Sequence, residues 1–419
     1  MCQTTRRIAL FFCFTFSLAV LSNIAQAQTF TVLHAFTGGA DGASPLSGVT
    51  IGGSGILYGT TYSGGTGDNG LDGVAFKLAQ RGSGWELEPL YEFSGVGEGY
   101  APLGPLTVRN GALYGTTGEY GGTGAKGTVF ELQPPPTACK TSICYWNETV
   151  LHSFAGGPND GANPYFTNLV FDQAGNIYGT TQRGGNGSGP FCGTIGCGTV
   201  FELSPSRGGW TFSIIHNFQS NGIDGVQPLY GVSFDPAGNL YGTTLYGGIS
   251  SQEAGTVFEL TPSGGTWAEN ILYSFFSNPM GAPVDATTLI MDQSGNLYGS
   301  AAAAGPQSAG TVFELTPSQG GWIFSTLYTF TACSAQPLAI DTAGNLYGTC
   351  TGGGQYDSGW IFELTNSGGS WMVTDFYDFT GGSGGAGPFG PIVFDSNGNL
   401  YGTTYGGGNG YGTVWEITP

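Results

Sequence analysis

The only imidazoles in this 419-residue chain are His34, His152 and His216. Histidine is a common general base and metal ligand, so these three come first in any search for Ser-His-Asp or metal chemistry. Each stands two residues before a Phe, at 36, 154 and 218, and four other stretches carry Tyr91, Tyr273, Tyr328 or Tyr377 at the matching place. A position shared with tyrosine is a packing position, and neither a metal site nor a cofactor is expected from it. Carboxylates offer a second chemistry. Glycoside hydrolysis needs two of them roughly 5 to 9.5 Å apart. Asp41, Asp160 and Asp224, each in an Asp-Gly-Ala/Val-x-Pro stretch, are the candidates if the protein is an enzyme. Their repetition favours a role in forming turns, and no catalytic residue is assigned.

The other repeated acids read as framework. Asp172, Asp235, Asp292, Asp341 and Asp395 precede Gly-Asn in turns, where an Asp accepts backbone N–H bonds and Gly takes the positive-φ position. One carboxylate per repeat does not converge into a calcium cage. Glu131, Glu202, Glu259, Glu314, Glu363 and Glu416 recur in a strand-like phrase; with so few bases present, hydroxyl or backbone partners or an outer-rim position are expected of them. Tyrosines are the residues left over. Tyr62, Tyr120, Tyr246, Tyr356, Tyr405 and Tyr411, with Tyr100, lie among glycines in stretches of irregular length, a composition suited to binding carbohydrate or peptide.

These residues are positioned by a repeat. Leu-Tyr-Gly-Thr-Thr, with small variations, recurs with its Tyr at 58, 114, 178, 241, 298, 347 and 401. A Gly-rich stretch follows, then Gly-Thr-Val-Phe-Glu-Leu or a variant of it, as at 127–132 and 198–203. A third phrase spaces Trp and Phe eight apart, as in Trp210 and Phe218, with apolar residues on alternate positions. A fourth runs from a Pro to the turn Asp, as from Pro228 to Asp235. Period two means strand, and four strands per unit are the content of one propeller blade. In blade order, strand a is the Pro-to-Asp phrase, b Leu-Tyr-Gly-Thr-Thr, c Gly-Thr-Val-Phe-Glu-Leu and d the Trp-to-Phe phrase. The chain opens on a lone d strand from Phe30 to Phe36 and ends on a c strand from Gly412 to Ile417, so the first strand can complete the last blade. The expected fold is all-β: a seven-bladed β-propeller of four-stranded blades, closed by the N-terminal strand joining the last blade. A linear β-solenoid is the alternative.

Composition bounds the rest. Gly accounts for 78 residues and only 9% are charged, which suits turns and strands rather than long surface helices. Arg6 and Arg7 precede an apolar run from Ile8 to Leu21 and then Ala25-Gln26-Ala27, so residues 1–27 read as a cleaved signal peptide and 28–419 as one seven-repeat domain. The export route, Sec or twin-arginine, stays open. The expected location is secreted or extracellular, with the periplasm also open. A net charge of −19 repels phosphate backbones and anionic lipid, so nucleic-acid binding and membrane insertion are not expected, and a monomer is.

Four antiparallel strands per blade put the b–c and d–a connections on one face, and the a–b and c–d turns on the other. Cys139 and Cys144 fall on the turn face of the second blade and Cys192 and Cys197 on the loop face of the next, too far apart for a shared zinc, so two local clips are expected. Cys333 and Cys350 are left to each other, at an expected Cα separation of about 4.4 to 6.8 Å across the a–b hairpin of the sixth blade.

The repeated phrases resemble those of the bacterial GloVer-repeat proteins, whose units carry the same Asn-Leu-Tyr-Gly-Thr-Thr and Gly-Thr-Val-Phe-Glu-Leu-Thr-Pro wording. The resemblance implies an extracellular protein, often anchored at its C-terminus, and implies no activity or catalytic residues. This chain stops at Thr418-Pro419 without a hydrophobic tail, so release is expected over anchoring. The Asp-x-x-Gly-Asn-Leu-Tyr turns also resemble those of NHL and two-component-regulator propellers. The expected function is binding of a polysaccharide or surface protein on the loop face. The alternatives are a glycan-cleaving hydrolase or lyase and a structural surface-layer component.

Overall fold

In each repeat the Gly of Leu-Tyr-Gly leaves a space that an aromatic ring fills. Gly179, Gly115 and Gly242 lie directly across from Phe201, Phe130 and Phe258 of the neighbouring strand. A Cβ on these glycines would stand only 2.7, 2.6 and 2.5 Å from the ring. Gly402 faces Trp415 in the same way. All four rings are fully buried, so the strand pairing b to c is set by a close approach that only Gly permits.

The computed structural model describes residues 28–419 except 68–71, 96, 119–125, 138–143, 250–253, 277–283, 303–309 and 332. The expected signal segment 1–27 lies outside the described residues. Seven antiparallel sheets follow one another in the order a-b-c-d. The third blade is typical, with a Val170–Phe171, b Ile177–Thr181, c Thr199–Ser206 and d Gly209–Asn217. The last sheet combines Ala386–Phe394, Leu400–Gly406 and Thr413–Thr418 with Thr29–Ala35. Thr29 pairs with Thr418 and Ala35 with Thr413, so the first strand closes the ring as expected. The structure adds short pieces that periodicity does not announce. Asp285–Ala286 extends the fifth blade to five strands, and two-stranded ribbons join Gly161–Ala162 to Arg183–Gly184 and Gly225–Val226 to Tyr246–Gly247.

Neighbouring blades are joined by the first Thr of Leu-Tyr-Gly-Thr-Thr. Its buried hydroxyl donates to a carbonyl of the next blade: Thr60 to Pro102 at 3.0 Å, Thr116 to Pro164 at 3.0 Å, Thr180 to Tyr230 at 2.8 Å and Thr243 to Ala286 at 2.7 Å. The second Thr meets the Thr that opens strand c, at 2.8 Å in Thr117–Thr128, Thr181–Thr199, Thr244–Thr256 and Thr404–Thr413. In the sixth blade Cys350 takes this second place and is bonded to Cys333, with a Cα separation of 5.2 Å. The a–b hairpin that the pairing requires is present, Ala339 opposite Tyr347 and Ile340 opposite Leu346. Cys192–Cys197 is also formed. Cys144 is disulfide-bonded, while Cys139 lies outside the described residues.

The repeated acids hold this frame. The Tyr241 hydroxyl donates to Glu259 at 2.8 Å and lies 3.2 Å from Asp235, and Tyr178, Tyr298 and Tyr401 bridge the corresponding pairs. Asp235 also accepts the N–H groups of Ala237 and Asn239 at 2.8 and 2.9 Å, around Gly238 at φ 91°. The glutamates thus have hydroxyl partners, and the turn acids cap their own hairpins.

The close approach has a measurable consequence. Gly242→Ala is expected to lower stability by about 1 to 3 kcal/mol, the usual cost of overpacking a tight core. Gly208→Ala, where nothing lies within 4 Å, should stay within about 0.5 kcal/mol. Chemical denaturation of both variants checks this; equal effects would contradict the Gly–Phe constraint.

Candidate functional site

The loop face is assembled by residues that precede proline in the d–a connections. Ser44, Asn163 and Gln227 take φ of 55, 59 and 61°, values uncommon for side chains other than Gly. Backbone hydrogen bonds on both sides hold them there. Ser44 N–H donates to Tyr411 of the previous blade at 2.8 Å, and its carbonyl accepts from Tyr62 at 3.0 Å. Gln227 N–H donates to the Cys197 carbonyl at 2.7 Å, and the Gln227 carbonyl accepts from Leu245 N–H at 3.1 Å. The b–c loop of one blade is thereby tied to the b–c loop of the next.

Four predicted tyrosines share a continuous stretch of this ring. Tyr356 belongs to the b–c loop of the sixth blade, Tyr405 to the end of strand b and Tyr411 to the b–c loop of the seventh, and Tyr62 to the b–c loop of the first; they are 51, 46, 45 and 37% exposed. Gly387 N–H donates to Ser358, two residues from Tyr356, and the Tyr405 ring packs on Gly387. The Tyr411 ring packs on Gly38, and Ser44 joins Tyr411 to Tyr62. Tyr246 and Tyr100 stand apart from this arc. Tyr246 is half-buried, stacked on Phe191 at 4.9 Å beside the Cys192–Cys197 hairpin. Tyr100 is half-buried in the d–a connection after the first blade. Tyr120, with Glu119 and Asp68, lies outside the described residues.

Two cavities lie nearby. The inner strands enclose one of about 210 Å³ lined by Leu46, Phe166, Tyr230, Leu338, Phe389 and other mostly apolar groups. Phe166 stands 5.7 Å from both Tyr230 and Phe389, so aromatic rings crowd the centre of the ring. Beside Tyr356, a cleft of about 530 Å³ is lined by Tyr328, Gln355, Trp360, Asp375 and Asp378 among others. Asp375 and Asp378 are close enough to share a proton, and burial together with Asp378 pushes Asp375 up to about 6. Asp378 also accepts the Gln355 N–H at 2.7 Å. This acid pair and Trp360 were not among the predicted site residues.

The three predicted acids meet the three histidines. Asp41 and Asp160 accept hydrogen bonds in their own loops, from Thr37 N–H at 2.9 Å and Ala155 N–H at 2.8 Å, and lie 3.0 Å from His34 and 2.9 Å from His152. Asp224 accepts from Gln219 N–H at 2.8 Å and lies 3.6 Å from His216. Each imidazole also packs edge-on against the Phe two residues later, at 4.6 to 4.9 Å. Packing therefore describes them only in part, because each also faces an acid.

The far side of His152, and of the tyrosines at the matching positions, meets the d strand of the next blade. His152 stacks on Phe212 at 4.1 Å, Tyr273 on Phe324 at 3.8 Å and Tyr377 on Phe30 at 4.3 Å. Two blades place acids there instead. Glu269 lies 3.4 Å from His216, and burial and Asp224 push it up to about 9. Glu148, opposite Tyr91, is pushed up to about 7 by burial and by Glu98. His216, Asp224 and Glu269 are the group among the described residues whose ligand atoms converge as a metal site requires. A carboxyl at a stacking position was the available signal for Glu148 and Glu269.

Comparisons with known proteins bear on the frame. The Gloeobacter/Verrucomicrobia repeat matches residues 19–191, 140–284 and 191–415. No curated protein matches the chain. A solved streptogramin B lyase is similar over 93% of this chain and 97% of its own, at 13% identity and a TM-score of 0.54. A catalytically inactive virginiamycin B lyase from Staphylococcus aureus, solved with quinupristin, is similar over 94% and 99%, at 12% identity and 0.52. At these identities the likeness is one of fold alone.

Glu148 makes stability pH-dependent. Its folded value of about 7 exceeds the ordinary 4.5, so the folded form keeps a proton that the unfolded chain releases. Stability from this group is complete below pH 4.5 and is lost as pH rises through 7. Glu148→Gln is expected to raise the melting temperature at pH 8 and leave it nearly unchanged at pH 4. Calorimetry at both values checks this, and an equal shift at both would contradict it.

Proposed function

We propose that this chain, which belongs to the Gloeobacter/Verrucomicrobia repeat family, is a secreted binding propeller whose tyrosine arc grips a neutral polysaccharide. The arc of Tyr356, Tyr405, Tyr411 and Tyr62 carries the reading, since four exposed rings on hydrogen-bonded backbone are an ordered surface. A tyrosine offers an apolar ring to the C–H face of a sugar and a hydroxyl to its rim. Glycine packing beneath Tyr405 and Tyr411 lets a chain approach closely. A net charge of −19 disfavours anionic polymers, which selects a neutral one. The disulfides Cys192–Cys197 and Cys333–Cys350 support an oxidising compartment, and no helix among the described residues is long and apolar enough to cross a membrane. Tyr100 and Tyr246 would serve as outlying contacts along the same face.

One observation favours a second reading, a glycan-cleaving enzyme. The cleft beside Tyr356 brings Asp375 and Asp378 together with Trp360, and a raised carboxyl is what a general acid needs. Asp41, Asp160 and Asp224 sit on separate blades, each engaged with its own loop.

Affinity electrophoresis against neutral glucans, xylan and mannan tests the proposal. The native protein should be retarded by at least one of them. The double variant Tyr405→Ala, Tyr411→Ala should bind at least tenfold more weakly, a loss of about 1.4 kcal/mol, with an unchanged melting temperature. Undiminished retardation of that variant would contradict the site. Release of reducing ends by the native protein, abolished in Asp375→Asn, would assign it to the second reading.

A further inference from the structure

We propose that His216, Asp224 and Glu269 bind one divalent transition-metal ion of the zinc class, clamping the third blade to the fourth. The sequence alone led to no expected metal site, because the three residues come from a d strand, a d–a loop and the d strand of the following blade. Their ligand atoms all lie within 4.8 Å of one another. His216 Nε2 stands 3.4 Å from Glu269 Oε1 and 3.6 Å from Asp224 Oδ2. A tetrahedral zinc with ligand bonds of about 2.0 to 2.2 Å separates its ligands by roughly 3.3 to 3.6 Å. The two separations from His216 are those of ligands around an ion, and are longer than an ordinary hydrogen bond.

The same protein contains two controls. His34 and His152 lie 3.0 and 2.9 Å from Asp41 and Asp160, ordinary hydrogen-bonding distances, and neither has an acid arriving from the next blade. At His216 that acid is present and the hydrogen bond is absent. His216 Nε2, Asp224 Oδ1 and Glu269 Oε1 are all buried without a hydrogen-bond partner. Asp224 is only 5% exposed, and a buried, unpartnered carboxylate oxygen is costly. A dication would balance the two carboxylates and give His216 Nε2 and Glu269 Oε1 the partner they lack, with a carboxylate oxygen of Asp224 as third ligand. One imidazole with two carboxylates suits zinc and its neighbours better than calcium or magnesium, which take oxygen ligands. Three protein ligands leave a fourth position for water.

The test is zinc titration of chelator-treated, disulfide-intact protein, followed by calorimetry and by competition with a chromogenic chelator. The native protein should take up one equivalent and melt at a higher temperature with zinc than without it. Glu269→Phe rebuilds the ring stack present at Phe212 and Phe324, so it should fold and lose both effects. Glu269→Gln and His216→Ala should weaken uptake at least tenfold. Phe212→Glu, which sets an acid against His152 and Asp160, should add a second equivalent. Absence of stoichiometric uptake by the native protein, or uptake undiminished in Glu269→Phe and His216→Ala, would overturn the assignment.

Discussion

The missing Cβ in Leu-Tyr-Gly is the constraint on which the rest of the molecule depends. Because Gly242 leaves its face of strand b open, Phe258 can lie across it, and the register of b against c follows. That register places Thr243 and Thr244 next along the strand. The first then reaches a carbonyl of the next blade, while the second binds the Thr that opens strand c. One five-residue phrase therefore builds both a blade and its junction with the neighbour. Repeated around the ring and closed by Thr29–Ala35 against Thr413–Thr418, it yields a closed frame whose last blade has its full four strands and whose blade edges are short.

Such a frame frees the loops to differ. Pre-proline residues such as Ser44 and Gln227 are held in an uncommon conformation by hydrogen bonds from two blades, so a loop change in one blade keeps its anchor in the next. Tyrosines gather where the sixth, seventh and first blades meet, and acids gather at the junctions of the first four.

The repeat, the ring closure and the Cys333–Cys350 bond were legible because each follows from period and spacing. A shortage of bases left hydroxyl partners, backbone partners or the outer rim open for the Glu residues, and the structure supplies tyrosine hydroxyls. The histidine–acid pairs were not, since His34 and Asp41 belong to different phrases and only the folded d–a loop turns one toward the other. Tyr246 is half-buried rather than exposed because the disulfide-closed Cys192–Cys197 loop presents Phe191 to its ring, which no periodicity encodes. Glu148 and Glu269 were hidden by alternation itself. Half-buried d-strand positions accept polar residues in many sheets, and what makes these two unusual is the ring that stands there in other blades. Asp375 and Asp378, three apart on the sixth blade's outer strand, gain meaning only from the cleft beside them.

Hydrogen–deuterium exchange of the native protein, with and without a neutral oligosaccharide, tests most directly the claim that an inert frame carries a binding face. The account predicts added protection confined to the loop backbone around Tyr356, Gly387, Tyr405, Tyr411, Ser44 and Tyr62, with the strands unchanged. Protection concentrated instead in the turns from Asp172 to Asn176 or Asp235 to Asn239, on the opposite face, would contradict it.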